Sequence, residues 1–78
     1  MFVDFYGDLS KLEQVGSMRD YQVQFERLLT WVGHLAPEHQ IGCFVIGLKE
    51  DIRTEVQATR PTSLSVAVGL ARLYEARQ

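Results

Sequence analysis

His39 and Cys43 stand four residues apart, and His34 lies close before them. Positions i and i+4 share one face of a helix, so these residues could offer two imidazoles and a thiol to a metal ion. Structural zinc sites take four ligands in paired short spacings, and this chain has no second pair. An ordinary helix surface is the simpler reading. Cys43 sits in Ile41-Gly42-Cys43-Phe44-Val45, where a thiol acts as a small hydrophobe. A reactive cysteine needs an electropositive, exposed setting. Glu50, Asp51 and Glu55 are the closest carboxylates, but Lys49 and Arg53 lie among them, so they read as a solvated face with weak intrahelical pairs. Gly42 and Gly47 lack the lysine and the strand context of a phosphate loop. No C-x-x-C zinc knuckle is present. The expectation is a protein with no catalytic residue, metal or cofactor: not an enzyme.

What remains is packing. Seventy-eight residues suffice for one domain, expected as 1–78 with a lead-in at 1–16 and a helical core at 17–78. So short a chain buries only about two-thirds of its unfolded surface, which makes help from a second subunit reasonable. One cysteine cannot form an internal disulfide, which suits a reducing compartment. Hydrophobic content of 46% with 23% charged residues argues for a folded chain rather than a disordered one. A net charge of −2 with scattered basic residues argues against direct nucleic-acid binding, which needs clustered Lys and Arg. No apolar run approaches the ~20 residues of a membrane span, and the first residues lack the pattern of a secretory signal. A cytoplasmic protein is expected.

The periodicity predicts an all-α bundle of four main helices, at about 18–32, 37–46, 49–59 and 63–76. In the first, Met18, Tyr21, Phe25, Leu28, Leu29 and Val32 repeat at helical spacing. Ser17 is placed to cap it, with Asp20 three residues on. Gly33 is placed to stop it. Pro37 suits the first turn of the second helix, and Ile41, Phe44, Val45 and Leu48 give that helix an apolar surface. Ile52 and Val56 carry the stripe of the third, which Arg60-Pro61 ends. Thr62 or Ser63 caps the last. There Leu64, Ala67, Val68, Ala71, Leu73 and Tyr74 form the apolar side, with Arg72, Glu75 and Arg77 solvated. In the lead-in, a short turn is expected around Asp8–Glu13, capped by Asp8 or Ser10. Phe2, Phe5 and Tyr6 are expected to pack on the bundle or on another subunit. Trp31 falls off the main stripe and Val45 points another way from Phe44. Both are therefore candidates for burial by a second chain.

Three blocks carry a family likeness. "LEQVGSMRDYQVQFERL" resembles the Q-x-G-S-x-x-x-Y-x-x-x-F segment of Gag proteins from gypsy-type long-terminal-repeat retrotransposons, and its RDY-x-x-x-F part resembles the major homology region of retroviral capsids. "FVIGLKEDIRTEV" resembles the family's F-x-x-G-L-x-x-x-I-R pattern in Phe44, Gly47, Leu48, Ile52 and Arg53. "RPTSLSVAVGLARLYE" resembles its R-P-x-x-L-x-x-A-x-x-L-A pattern in Arg60, Pro61, Leu64, Ala67, Leu70 and Ala71. The likeness spans about residues 8 to 75. It departs from the retroviral motif in the shorter spacing from Gln14 to Tyr21 and in Val15, which separates Gln14 from Gly16. The retroviral hydrogen-bond pattern is therefore not carried over in detail.

The resemblance implies a fold like the C-terminal domain of a retroviral capsid. It implies homodimers or higher homo-oligomers and linkage of capsomers in a cytoplasmic virus-like particle, with no membrane role. Gln14, Gly16, Tyr21 and Phe25 would join the lead-in to the first long helix, and Phe44, Gly47 and Leu48 would complete the structural motif. The second helix is the usual two-fold contact in that family, which makes Trp31, Ile41 and Val45 the expected dimer patch. The alternative is a domesticated Gag-derived module that binds a host partner peptide or protein.

Overall fold

The computed structural model describes residues 4–77, so the expectation for Phe2 lies outside the described residues. Five helices follow one another: α1 (Phe5–Lys11), α2 (Met18–Val32), α3 (Pro37–Ile46), α4 (Glu50–Thr59) and α5 (Leu64–Ala76). No strand occurs among the described residues. The chain is an all-α bundle.

Local chemistry sets most of the boundaries. The Ser17 hydroxyl accepts from the Asp20 N–H at 3.2 Å and opens α2. Ser63, not Thr62, does the same for α5 through the Val66 N–H at 3.1 Å. Pro37 occupies the first turn of α3, where a missing N–H costs nothing. Gly33 closes α2 at φ +84, a conformation that L side chains rarely adopt. Arg60 closes α4 in the left-handed region at φ 56, an uncommon place for a side-chain-bearing residue.

α1 begins earlier than the turn expected at Asp8–Glu13, and neither Asp8 nor Ser10 caps it. The carboxylate of Asp4 accepts from the Gly7 N–H at 2.9 Å, so the helix starts one residue after it. Gly7 is inside the helix. A Cβ there would run into the Asp4 carboxylate.

α5 touches α2, α3 and α4, while α1 packs on α2 and α3. The core contains Leu9, Met18, Tyr21, Phe25, Phe44, Val45, Leu48, Ile52, Val56, Ala67 and Ala71. The two alanines let α5 approach closely. Leu70 packs against this core, while Leu73, expected on the apolar side of α5, is exposed. Val45 is a second correction. It is only 6% exposed and belongs to the core, because α3 is covered on two flanks and buries adjacent residues.

Glu75 is the third correction. It is half-buried rather than solvated, and its Oε2 accepts from the Met18 N–H at 2.7 Å. α5 thus supplies an acceptor for a free donor in the first turn of α2, where negative charge also suits the helix dipole. Replacing Glu75 by Ala is expected to lower stability by about 1 kcal/mol in urea denaturation, with Gln recovering part of the loss. An unchanged Glu75→Ala midpoint would remove the cap from the account of α2.

Candidate functional site

Gln14 follows α1 and is buried, at 7% exposure. Its N–H donates to the Gly47 carbonyl oxygen at 2.7 Å. Its Oε1 accepts from the Lys49 N–H at 3.2 Å, and its Nε2 donates to the Gly16 carbonyl oxygen at 3.0 Å. One side chain therefore ties the α1–α2 connection to the α3–α4 connection. An amide suits this place because it can donate and accept at once.

Tyr21 reinforces the same junction. Its hydroxyl donates to the Phe44 carbonyl oxygen at 2.8 Å. Its ring lies 5.2 Å from Phe44 and 6.2 Å from Phe25, and Phe25 meets Phe44 edge-on at 5.2 Å. These tilted and edge-on contacts are the favoured geometries for aromatic pairs. Gly47 ends α3 at φ −86, which any residue can adopt, so turn conformation is not what requires glycine here. A Cβ at this position would collide with the Leu12 carbonyl oxygen and the Tyr21 hydroxyl. Leu48, beside it, is 3% exposed. Gln14, Gly16, Tyr21, Phe25, Phe44, Gly47 and Leu48 thus belong to one junction and its core.

Burial raises the Tyr21 hydroxyl well above its ordinary range, and the nearby Cys43 thiol adds to the shift. Tyr21 therefore stays a neutral donor at physiological pH. No buried side-chain nitrogen or oxygen lacks a hydrogen-bond partner among the described residues. No three of His, Cys, Asp and Glu come together as metal ligands among those residues. Among the described residues no helix is long and apolar enough to cross a membrane.

Trp31, Ile41 and Val45 do not form one exposed patch. Val45 is in the core, and Ile41 is half-buried. Trp31 is 64% exposed and stacks on Phe5 of α1, with centroids 5.7 Å apart. Tyr6, next to Phe5, is also exposed. The large apolar residue of α3 that faces outward is Ile46, at 62%. Sequence reasoning missed Ile46 because it directly follows a buried pair, Phe44-Val45, and looks like part of the same apolar run. Between α1 and α3, Tyr6, Ser10, His39, Cys43 and Ile46 help line a shallow groove of about 340 Å3. A second groove, of about 440 Å3, lies between α3 and the end of α4. No family model matches the chain, and no curated protein or solved structure matches it.

Two substitutions separate the roles of the glycines. Gly47→Ala is expected to cost at least about 2 kcal/mol, since backbone and a buried hydroxyl must yield. Gly42→Ala, in mid-helix with nothing within 4 Å of its Cβ position, is expected to stabilise by about 0.5–1 kcal/mol. Urea midpoints moving together in either direction would contradict this assignment.

Tyr21 also predicts a pH dependence. A tyrosine in the unfolded chain ionises near pH 10, whereas folded Tyr21 keeps its proton above that. Above about pH 10 the unfolded state then binds fewer protons, so stability falls as pH rises. Below that pH the contribution is fully present. Tyr21→Phe is expected to cost about 1–2 kcal/mol at pH 7 and to flatten the alkaline slope. An unchanged slope in that variant would assign the pH dependence to another group.

Proposed function

We propose that this chain is a structural self-association domain of a Gag-type capsid, acting in a virus-like particle of a gypsy-type retrotransposon in the cytoplasm. The observation that carries the reading is the junction. Residues from the first two blocks of the family resemblance meet as one hydrogen-bonded, fully satisfied contact around Gln14, Tyr21 and Gly47. Such a contact holds a scaffold in shape and offers no group to a substrate. The reading therefore assigns the chain no catalysis and no cofactor. Contact with RNA falls to other parts of a particle, in keeping with the net charge of −2.

Self-association needs an apolar surface that the isolated fold leaves wet. The Trp31–Phe5 stack supplies one, and Tyr6 extends it. Tryptophan is among the residues that most often carry interface energy, and a ring already held by Phe5 loses little freedom on binding. Trp31 is thus the anchor in the proposed homodimer. Val45 is excluded by its burial, and Ile41 by its place in the groove beside α4.

Light scattering from micromolar to millimolar protein tests the reading. The expected result is a mass that rises with concentration from 8.9 kDa toward twice that value. Trp31→Asp is expected to weaken association by at least about tenfold with its helical circular dichroism intact, whereas Val45→Asp is expected to unfold the chain. A monomer at every concentration would overturn the reading. A Trp31→Asp protein that still dimerises would move the contact elsewhere.

A further inference from the structure

Ile41, Gly42, Val45 and Ile46 of α3 face Gln57 of α4 and the Arg60-Pro61 turn across an open groove of about 440 Å3. That volume is within the range that accepts a small ligand or a few side chains. Its walls are aliphatic apart from Gln57 and Arg60, and Arg60 is the one charged residue among those lining it. Ile46 leaves one apolar wall in water. Nothing approaches the Cβ position of Gly42, so the groove is uncovered there.

The backbone at Arg60 determines which donors the groove can present. Arg60 is held at φ 56, ψ 70, with its N–H shared between the Val56 and Gln57 carbonyl oxygens at 3.2 Å each. Pro61 has no N–H. The donors left to the groove are the Arg60 guanidinium and the Gln57 amide. A guanidinium offers its N–H groups in a planar fork that matches a carboxylate.

We propose that this groove binds an extended segment of a partner protein in which an acidic side chain is flanked by aliphatic ones. The carboxylate engages Arg60 and Gln57, while the aliphatic neighbours cover Ile41, Ile46 and Pro61. Charge complementarity selects an acidic occupant, since the only charge on the lining is positive. The spent backbone donors select a side-chain carboxylate over a chain terminus, whose capture relies on free backbone N–H groups. The groove shares no residue with the Phe5–Trp31 stack, so its occupant and the homodimer proposed above rest on different residues.

The test is a titration of the 15N-labelled chain, at a concentration where it is monomeric, with acetyl-Gly-Leu-Glu-Leu-Gly-amide and its Gln counterpart. The expected result is saturable shifts of the Gly42, Ile46, Gln57 and Arg60 amides with the Glu peptide. The Gln peptide is expected to bind at least about fivefold more weakly, as is the Glu peptide to Arg60→Gln. Arg60→Gly, which relieves the positive φ and so keeps the fold, is expected to show the same loss. Binding without saturation, equal affinity for the two peptides, or shifts centred elsewhere would overturn the proposal. So would shifts of the same amides on raising protein concentration alone, because a second copy would then cover the groove. Trp31→Asp is expected to bind the Glu peptide normally, which separates this result from that of the self-association test.

Discussion

Gln14 stands between two chain reversals and is hydrogen-bonded to both. Its partners at Gly47 and Lys49 are more than thirty residues away in sequence. Closing such a loop costs chain entropy that grows only slowly with length, so a few good contacts can offset it. These contacts are good ones because the Gln14 side chain is itself buried: a hydrogen bond with little competing water is stronger, and leaving either end unpaired is costly. Gly47 then has to pass directly under the Leu12 carbonyl and the Tyr21 hydroxyl, which only a residue without a side chain can do. Tyr21 in turn reaches Phe44, and the aromatic core of Phe25 and Phe44 is assembled around it. The placement of α1, α2 and α3 follows from that one approach.

The size of the domain explains why a polar junction carries so much. The molecule measures 42 × 25 × 16 Å, and a helix with its side chains is about 10–12 Å across. Its thinnest dimension holds no more than about two packed helix layers. Few positions can then be surrounded on all sides, and many apolar residues are buried only in part. Hydrogen bonds between distant segments add definition where apolar area is limited. Glu75 on the Met18 N–H and Thr59 against the Tyr74 hydroxyl at 2.9 Å do this at the α5 end, as Gln14 does at the α1 end.

The sequence discloses what depends on local spacing. α2 and α3 begin and end at the expected residues, since their caps, proline and apolar repeat act within a few positions. The junction was legible only as a set of residue types in order. Its physical content, an amide shared by two turns and a glycine beneath a hydroxyl, depends on chain segments meeting in space. Val45 and Ile46 show the same limit. Two adjacent aliphatic residues on a helix give no sign of which one faces the core until the neighbouring helices are placed. Glu75 looks like any acidic residue near a C-terminus until the start of α2 lands beside it. Arg60 before proline marks the end of α4, but the left-handed turn emerges only with the two carbonyls that bind its N–H.

Folding accounts for Gly47 and Val45 but not for every apolar residue. Trp31 and Ile46 are each more than 60% exposed, and Val15 is 86% exposed. Scattered apolar residues on a surface are ordinary. A tryptophan stacked on a phenylalanine with its other side in water is a different case, because it joins two large rings into one patch. An isolated chain gains little from keeping that stack wet, and a polar pair there would leave the core untouched. The junction and the exposed rings therefore answer to different constraints. The first is set by how this chain meets itself, and the second by what the folded surface meets. In the proposed homodimer the hydrogen bonds of Gln14 and Tyr21 would serve the second constraint as well, because an anchor on α2 can be presented to a partner only while α1 and α3 hold α2 in place.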